Sequence, residues 1–263
     1  MPKKRIIFTL LYCEGYFMLS RNFRLQRVGD LKWLKKNYNF SRIAFAIDEL
    51  IVLDVTRGER NIAAFSECLK SLTDGCFIPV AAGGGIHRLE DASALLRAGA
   101  DKVVVNSSLF TDQEFITELA GEFGQQCVVG SIDCKRNGNE TYHIRHGNGE
   151  CILEEEASKI IQSIVSLPVG ELYLNSMDRD GTGQGYDFQM LDILPEKFPM
   201  PLILAGGAGN HHHFESGLSD PRIDAVATAH LYNFVGDGLM KTREKLIEGR
   251  YHLASWVPLA NNN

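Results

Sequence analysis

No stretch of the 263-residue chain approaches the roughly 18 apolar residues of a membrane-spanning helix, so no span is expected. A basic excess is also missing. The 27 Lys and Arg stand against 33 Asp and Glu, a formal net charge of −6, which argues against a dedicated nucleic-acid binder. The six cysteines (Cys13, Cys68, Cys76, Cys127, Cys134, Cys151) contain no CxxC pair, so no structural zinc site can be drawn from them. The basic opening Met1-Pro2-Lys3-Lys4-Arg5 leads to no apolar segment with a small-residue cleavage site. No signal peptide is read there, and free thiols in a cytoplasmic protein are expected. The run His211-His212-His213 is expected to be solvated, because adjacent histidines cannot all face one ion. No metal or organic cofactor is expected. With 44% hydrophobic and 23% charged residues, intrinsic disorder is excluded as well.

What is present is an internal repeat. Residues 6–11, 49–53 and 77–85 recur as 128–133, 171–175 and 199–207, each shifted by 122 positions. Ala100-Asp101-Lys102-Val103 recurs as Ile223-Asp224-Ala225-Val226, shifted by 123. Each segment is short, apolar and without polar alternation, the pattern of parallel strands buried on both faces. Helices are expected over 31–38 after the cap Asp30, 91–98 before Gly99, 112–123 before Gly124, 154–167, 187–194, 212–217 and 238–248. Four strand–helix units, doubled, in about 250 residues predict a (β/α)8 TIM barrel with a two-fold internal half-barrel repeat. An open doubly wound sheet is the structural alternative. Residues 1–250 are assigned to one barrel and 251–263 to a C-terminal tail.

In such a barrel the chemistry lies at the C-terminal ends of the strands. Two glycine clusters end repeat-related strands, Gly83-Gly84-Gly85 and Gly206-Gly207. Glycine turns of this kind expose backbone N–H groups to an anion. One strand later come Asn106-Ser107 and Ala229-His230. Together they predict two phosphate sites facing one mouth, and a ligand with a phosphate at each end. Asp133 ends the fifth strand and is the candidate general acid or base. Asp180-Gly181, in the polar loop after strand six, is a further phosphate-binding or lid element.

These residues resemble the HisF family, the cyclase subunit of imidazole glycerol phosphate synthase. The similarity runs from Arg5 to about Leu246. Its most specific pieces are Gly83-Gly84-Gly85-Ile86, Asp101-Lys102-Val103, Ser176-Met177-Asp178-Arg179-Asp180-Gly181-Thr182 and Gly206-Gly207-Ala208-Gly209. The resemblance implies a barrel that receives ammonia from a glutaminase (HisH-like) partner at its N-terminal face. It implies an ammonia gate at Arg5, Glu49, Lys102 and Glu171, with Asp101 on the partner side. It also implies a phosphorylated small-molecule ligand at the mouth. The family's strand-one aspartate falls on Leu11, its loop lysine on Leu19 and its strand-eight serine on His230. Leucine carries no proton, and losing one acid–base group costs about 10²–10⁴ in rate. The resemblance is therefore closest to HisF paralogues that supply ammonia to a sugar amidotransferase in lipopolysaccharide biosynthesis. Two alternatives stay open: a histidine-pathway cyclase that recruits Glu14 or Asp54, and a non-catalytic scaffold that activates its glutaminase. The apolar residues Leu11, Tyr12, Tyr16, Phe17, Met18 and Leu19 suit either a protein contact or a closed lid.

Overall fold

Runs of Val, Ile, Leu and Ala that cannot face water on either side must be enclosed by helices outside and by one another inside. The protein's computed structural model, which describes residues 3–38, 43, 45–74, 77–138 and 141–254, shows this arrangement. The strands are β1 (Arg5–Cys13), β2 (Tyr16–Arg21), β3 (Arg24–Asp30), β4 (Glu49–Asp54), β5 (Val80–Gly83), β6 (Lys102–Val105), β7 (Val128–Arg136), β8 (Tyr142–His146), β9 (Cys151–Ile152), β10 (Glu171–Ser176), β11 (Leu202–Ala205) and β12 (Ala225–Thr228). Eight of them pair in parallel in the order β1-β4-β5-β6-β7-β10-β11-β12, and β12 returns to β1. The sheet is closed, so the fold is a (β/α)8 barrel and the open-sheet alternative is excluded.

The helices are α1 (Leu31–Asn37), α2 (Ile62–Thr73), α3 (Leu89–Arg97), α4 (Ser108–Thr111), α5 (Gln113–Phe123), α6 (Ala157–Val165), α7 (His211–Ser219) and α8 (Gly238–Glu248). Asp30, Asn61, Asp112 and Asn210 cap four of them by accepting a backbone N–H of the first turn. Two expectations need correction. Residues 187–194 hold a 3-10 helix, Phe188–Ile193, not an α-helix. The Asp187 carboxylate accepts the Tyr142 hydroxyl at 3.0 Å instead of capping a turn, and Pro195 blocks elongation. Helix α6 starts at Ala157, three residues later than expected.

Strand residues alternate between two cores. Ile6, Phe8, Leu10, Leu50 and Val52 face outward to the helices. Ile7, Ile51, Ala81, Val104, Val129, Tyr173, Ile203 and Ala225 fill the barrel interior. Two antiparallel excursions interrupt the pattern: the hairpin β2–β3 leaves the end of β1, and β8–β9 leaves the end of β7. Both rise over the C-terminal mouth. At the opposite end the chain fastens to itself. Arg243 of α8 pairs with both oxygens of Asp48 at 2.9 and 2.8 Å, and Lys4 N–H donates to the His252 carbonyl at 2.8 Å. Cys76 and the rest of the expected tail, residues 255–263, lie outside the described residues. The five described cysteines are free thiols. Among the described residues no helix is long and apolar enough to cross a membrane.

Candidate functional site

The barrel floor is a closed ring of charge. Arg5, first residue of β1, donates to Glu49 of β4 at 2.8 Å and also to Glu171 of β10. Lys102 of β6 completes the circuit, 2.8 Å from Glu49 and 3.0 Å from Glu171. Each carboxylate is shared by two cations and each cation by two carboxylates. Burial works against charge on Arg5 and Lys102, but the facing glutamates outweigh it and raise both pKa values. Burial pushes the Glu49 carboxyl up despite Lys102 and Arg5. All four residues expected to form a gate thus meet around the axis.

Above the ring lies the apolar interior, with one polar crossing. The Tyr173 hydroxyl reaches Thr9 Oγ1 at 3.3 Å across the lumen. Its burial pushes the phenol well above its ordinary value, so it stays neutral.

The mouth is a single cavity of about 490 Å³. Every residue expected there lines it: Asp133, Gly84, Gly85, Asn106, Ser107, Asp180, Gly181, Gly206, Gly207, Ala229 and His230. Register fixes the centre, because Asn175 of β10 sits beside Asp133 of β7. The Asp133 carboxylate accepts Asn175 Nδ2 at 2.9 Å and Asn106 Nδ2 at 3.1 Å. Burial pushes its pKa up to about 6, with the charge of Asp180 adding and the two amides opposing. Leu11 lies on the cavity wall with 9% exposure, where a carboxylate partner would be needed for paired acid–base work. Glu14 cannot supply it: it is exposed in the turn after β1, away from the cavity lining. Asp54 lines the cavity, but its carboxylate accepts the Thr56 N–H at 2.9 Å.

The two glycine turns are alike in backbone. Gly84 (φ +122°) and Gly206 (φ +90°) adopt conformations that favour glycine. A Cβ on either would lie 2.2 Å from the Asp54 carbonyl or 2.6 Å from the Ser176 carbonyl. Their surroundings differ. Sequence reasoning missed Arg60, whose guanidinium packs against Gly85. It also missed Arg57, on the cavity wall and paired with Glu150 at 3.3 Å. Neither follows a motif, and only the β4–α2 loop brings them to the first cradle.

Asp180 is spent on a latch. Its Oδ2 accepts Ser20 Oγ at 2.5 Å and Phe23 N–H at 3.0 Å, and its carbonyl accepts Asn22 N–H at 3.0 Å. The β2–β3 hairpin is therefore tied to the loop after β10, and Tyr12 and Phe17 are buried in the outer core, where Tyr12 packs against Phe17 and against Phe65 of α2. Of the apolar residues Leu11, Tyr12, Tyr16, Phe17, Met18 and Leu19, Leu11 alone borders the cavity, and Tyr16, Met18 and Leu19 stay partly exposed.

Asp101 lies exposed on the N-terminal face, and its carboxylate accepts Val80 N–H at 2.8 Å. Its repeat partner Asp224 holds Leu202 N–H at 2.9 Å in the same way. Among the histidines, His211 and His212 stack at 3.9 Å and, with Glu215, bring ligand atoms within 4.8 Å of one another. That is closer than adjacency suggested, but Lys245 Nζ already stands 3.3 Å from His211 Nε2.

Residues 35–234 match the family described as "Histidine biosynthesis protein". A protein of Parasynechococcus marenigrum (strain WH8102), named "Putative imidazole glycerol phosphate synthase subunit hisF2", is 45% identical over 265 residues, covering 100% of this chain and 98% of that one. The chain belongs to the HisF family. In this HisF family member the floor carries four charges, β7 carries Asp133 and β1 carries Leu11.

Proposed function

We propose that this HisF family member receives ammonia from a glutaminase subunit docked on its N-terminal face and passes it through the barrel to the mouth. The single observation that carries the reading is the four-membered ring of Arg5, Glu49, Lys102 and Glu171. Buried charges cost several kcal/mol each unless paired. An apolar plug would close the floor more cheaply, as in an ordinary filled barrel. A ring of exchangeable ion pairs can open by side-chain rotation, and the small apolar residues Ala81 and Ala225, strand partners of Lys102 and Arg5, favour a neutral molecule over an ion. Phe77, 88% exposed three residues before β5, and the exposed Asp101 give the floor the mixed apolar and charged rim of a docking face.

At the mouth the delivered nitrogen meets a buried carboxyl, Asp133, that can hold or give up a proton near neutral pH. A phosphorylated ligand would be held over it by the Gly84-Gly85 turn with Asn106 and Ser107. Ring closure by paired aspartates is not available with Leu11 on β1. The acceptor we propose is an acetamido sugar, amidated by a separate amidotransferase in lipopolysaccharide biosynthesis. Histidine-pathway cyclisation is the second reading, favoured by the hisF2 description of the relative.

One assay separates the readings. The chain is supplied with ammonium salt and the bisphosphorylated ribulosyl aminoimidazole carboxamide substrate, and imidazole glycerol phosphate is sought. The expected result is none, together with stimulated glutamine hydrolysis when a glutaminase of the HisH type is added. Wild-type turnover would establish the cyclase instead. Unchanged glutamine hydrolysis in the complex would remove the ammonia route.

A further inference from the structure

The histidine run that opens α7 belongs to neither the mouth cavity nor the floor. Successive residues of a helix project roughly 100° apart, so adjacent histidines rarely share an ion. The first turn of α7 departs from this. The rings of His211 and His212 stack with centroids 3.9 Å apart and planes 37° from parallel. Glu215 follows four residues after His211 and three after His212, the two spacings that bring side chains onto one helix face. Its Oε2 lies 2.9 Å from His212 Nδ1. One ligand atom from each of the three side chains lies within 4.8 Å of the other two. Donors around a tetrahedral zinc stand about 3.3 Å apart, given Zn–N bonds of about 2.0 Å. Side-chain rotation closes that difference, and His212, 73% exposed, is free to make it.

A second helix shows which atom is on offer. Lys245 Nζ of α8 stands 3.3 Å from His211 Nε2. An ammonium only donates, so this ring nitrogen presents its lone pair. It does so at the edge of a groove of about 220 Å³ between α7 and α8. Lys245 is exposed and can withdraw into solvent, leaving the lone pair to another cation. The lysines of α8 and the positive end of the α7 dipole are a poor setting for a hard cation held by charge alone. Two imidazoles and one carboxylate instead suit zinc, nickel or copper, with water in the fourth position.

We propose that His211, His212 and Glu215 bind one transition-metal dication of the zinc class, which takes the place of the Lys245 ammonium and pins the first turn of α7. This departs from the solvated run that the sequence suggests, and it is independent of the ammonia reading. Its effect reaches the mouth through the next residue. His213 Nδ1 accepts Gly209 N–H at 3.1 Å, and the His213 ring borders Gly185, whose own N–H donates to the Gly207 carbonyl at 2.8 Å. An ion on α7 therefore stiffens the loops that follow β10 and β11.

Calorimetric titration of the full chain, stripped with EDTA and desalted, tests it with zinc chloride and nickel chloride, and with calcium and magnesium chlorides as controls. The expected results are a site for one zinc per chain, no heat from calcium or magnesium, and an unfolding midpoint that rises with zinc. His212→Ala and Glu215→Ala should each weaken zinc by about tenfold or more, since even an outer-shell partner is worth that much. Lys245→Met should tighten zinc by about fivefold, because it removes a positive charge from beside the ion. A metal held elsewhere on the surface would not respond to that change. Circular dichroism of the same samples establishes that the variants are folded, and Lys245→Met tests the site with all three ligands intact. Binding of neither zinc nor nickel overturns the proposal, as does calcium bound as tightly as zinc. A folded His212→Ala with unchanged affinity, or Lys245→Met no tighter than wild type, means an adventitious ion only and overturns it equally.

Discussion

Asp133 shows what a single position can carry. Its place at the end of an apolar strand announces a functional carboxylate, and the structure puts it at the bottom of the mouth. Its two amide partners were less legible. Asn106 reads as an anion ligand, yet its Nδ2 faces Asp133 and the Ser131 carbonyl. Asn175 gives no signal at all, because an amide on a buried strand has no spacing rule. The group's folded pKa of about 6 lies above the ordinary 3.8. Below about pH 4 it is protonated in both folded and unfolded chains and contributes no pH dependence. As pH rises through 6 the folded state must ionise a buried group, and stability is lost. Asp133→Asn removes that titration. Relative to wild type, the stability of the variant should rise by on the order of 3 kcal/mol between pH 4 and pH 7, on top of any constant cost of the exchanged amide. Urea unfolding at a series of pH values measures this. A flat difference across the window would mean that Asp133 does not titrate near 6.

Among elements, the barrel strands were legible because burial on both faces leaves no polar alternation to misread. Helix α2 was not expected, although Asn61 caps it and Phe65, Leu69 and Leu72 are its buried residues. The hairpin β2–β3 was hidden by its turn. Asn22 and Phe23 both have positive φ, +50° and +62°, a geometry usually marked by Asn-Gly. Phe23 gives no such mark. The glycine turns were read correctly as turns, and they separate two costs. Gly15 has φ +88° with nothing within 4 Å of a Cβ, whereas Gly84 has φ +122° and the Asp54 carbonyl 2.2 Å away. Gly15→Ala should therefore cost only the backbone conformation, about 1 kcal/mol. Gly84→Ala adds a backbone clash and should cost about 3 kcal/mol or more. Denaturant unfolding of the pair checks the contrast, and equal costs would show that strand β4 yields to the added methyl.

For the whole molecule, the repeat explains the frame and its exceptions explain the closure. Asp48 N–H donates to the Ile6 carbonyl at 2.8 Å, and in the second half Gly170 N–H donates to Val128 at 3.0 Å in the equivalent place. Only the first half has a carboxylate there. Asp48 Oδ2 accepts Ile6 N–H at 2.8 Å, and both its oxygens receive Arg243, a residue only 2% exposed, from the last helix. That pair joins α8 to β1 and β4 at the point where a chain of two halves must close on itself. Removing one member of such a buried pair leaves the other charged and unpartnered, at about 3–5 kcal/mol. Arg243→Met should accordingly lower the unfolding midpoint by on the order of 10 °C for a chain of this size. Far-UV and near-UV circular dichroism should fall together, because the clasp belongs to the barrel as a whole. The competing outcome is local: a midpoint within about 2 °C of wild type, with new proteolytic cleavage confined to residues 238–254. That result would make α8 a separately fraying element and confine the closing role to the β1–β12 pairing.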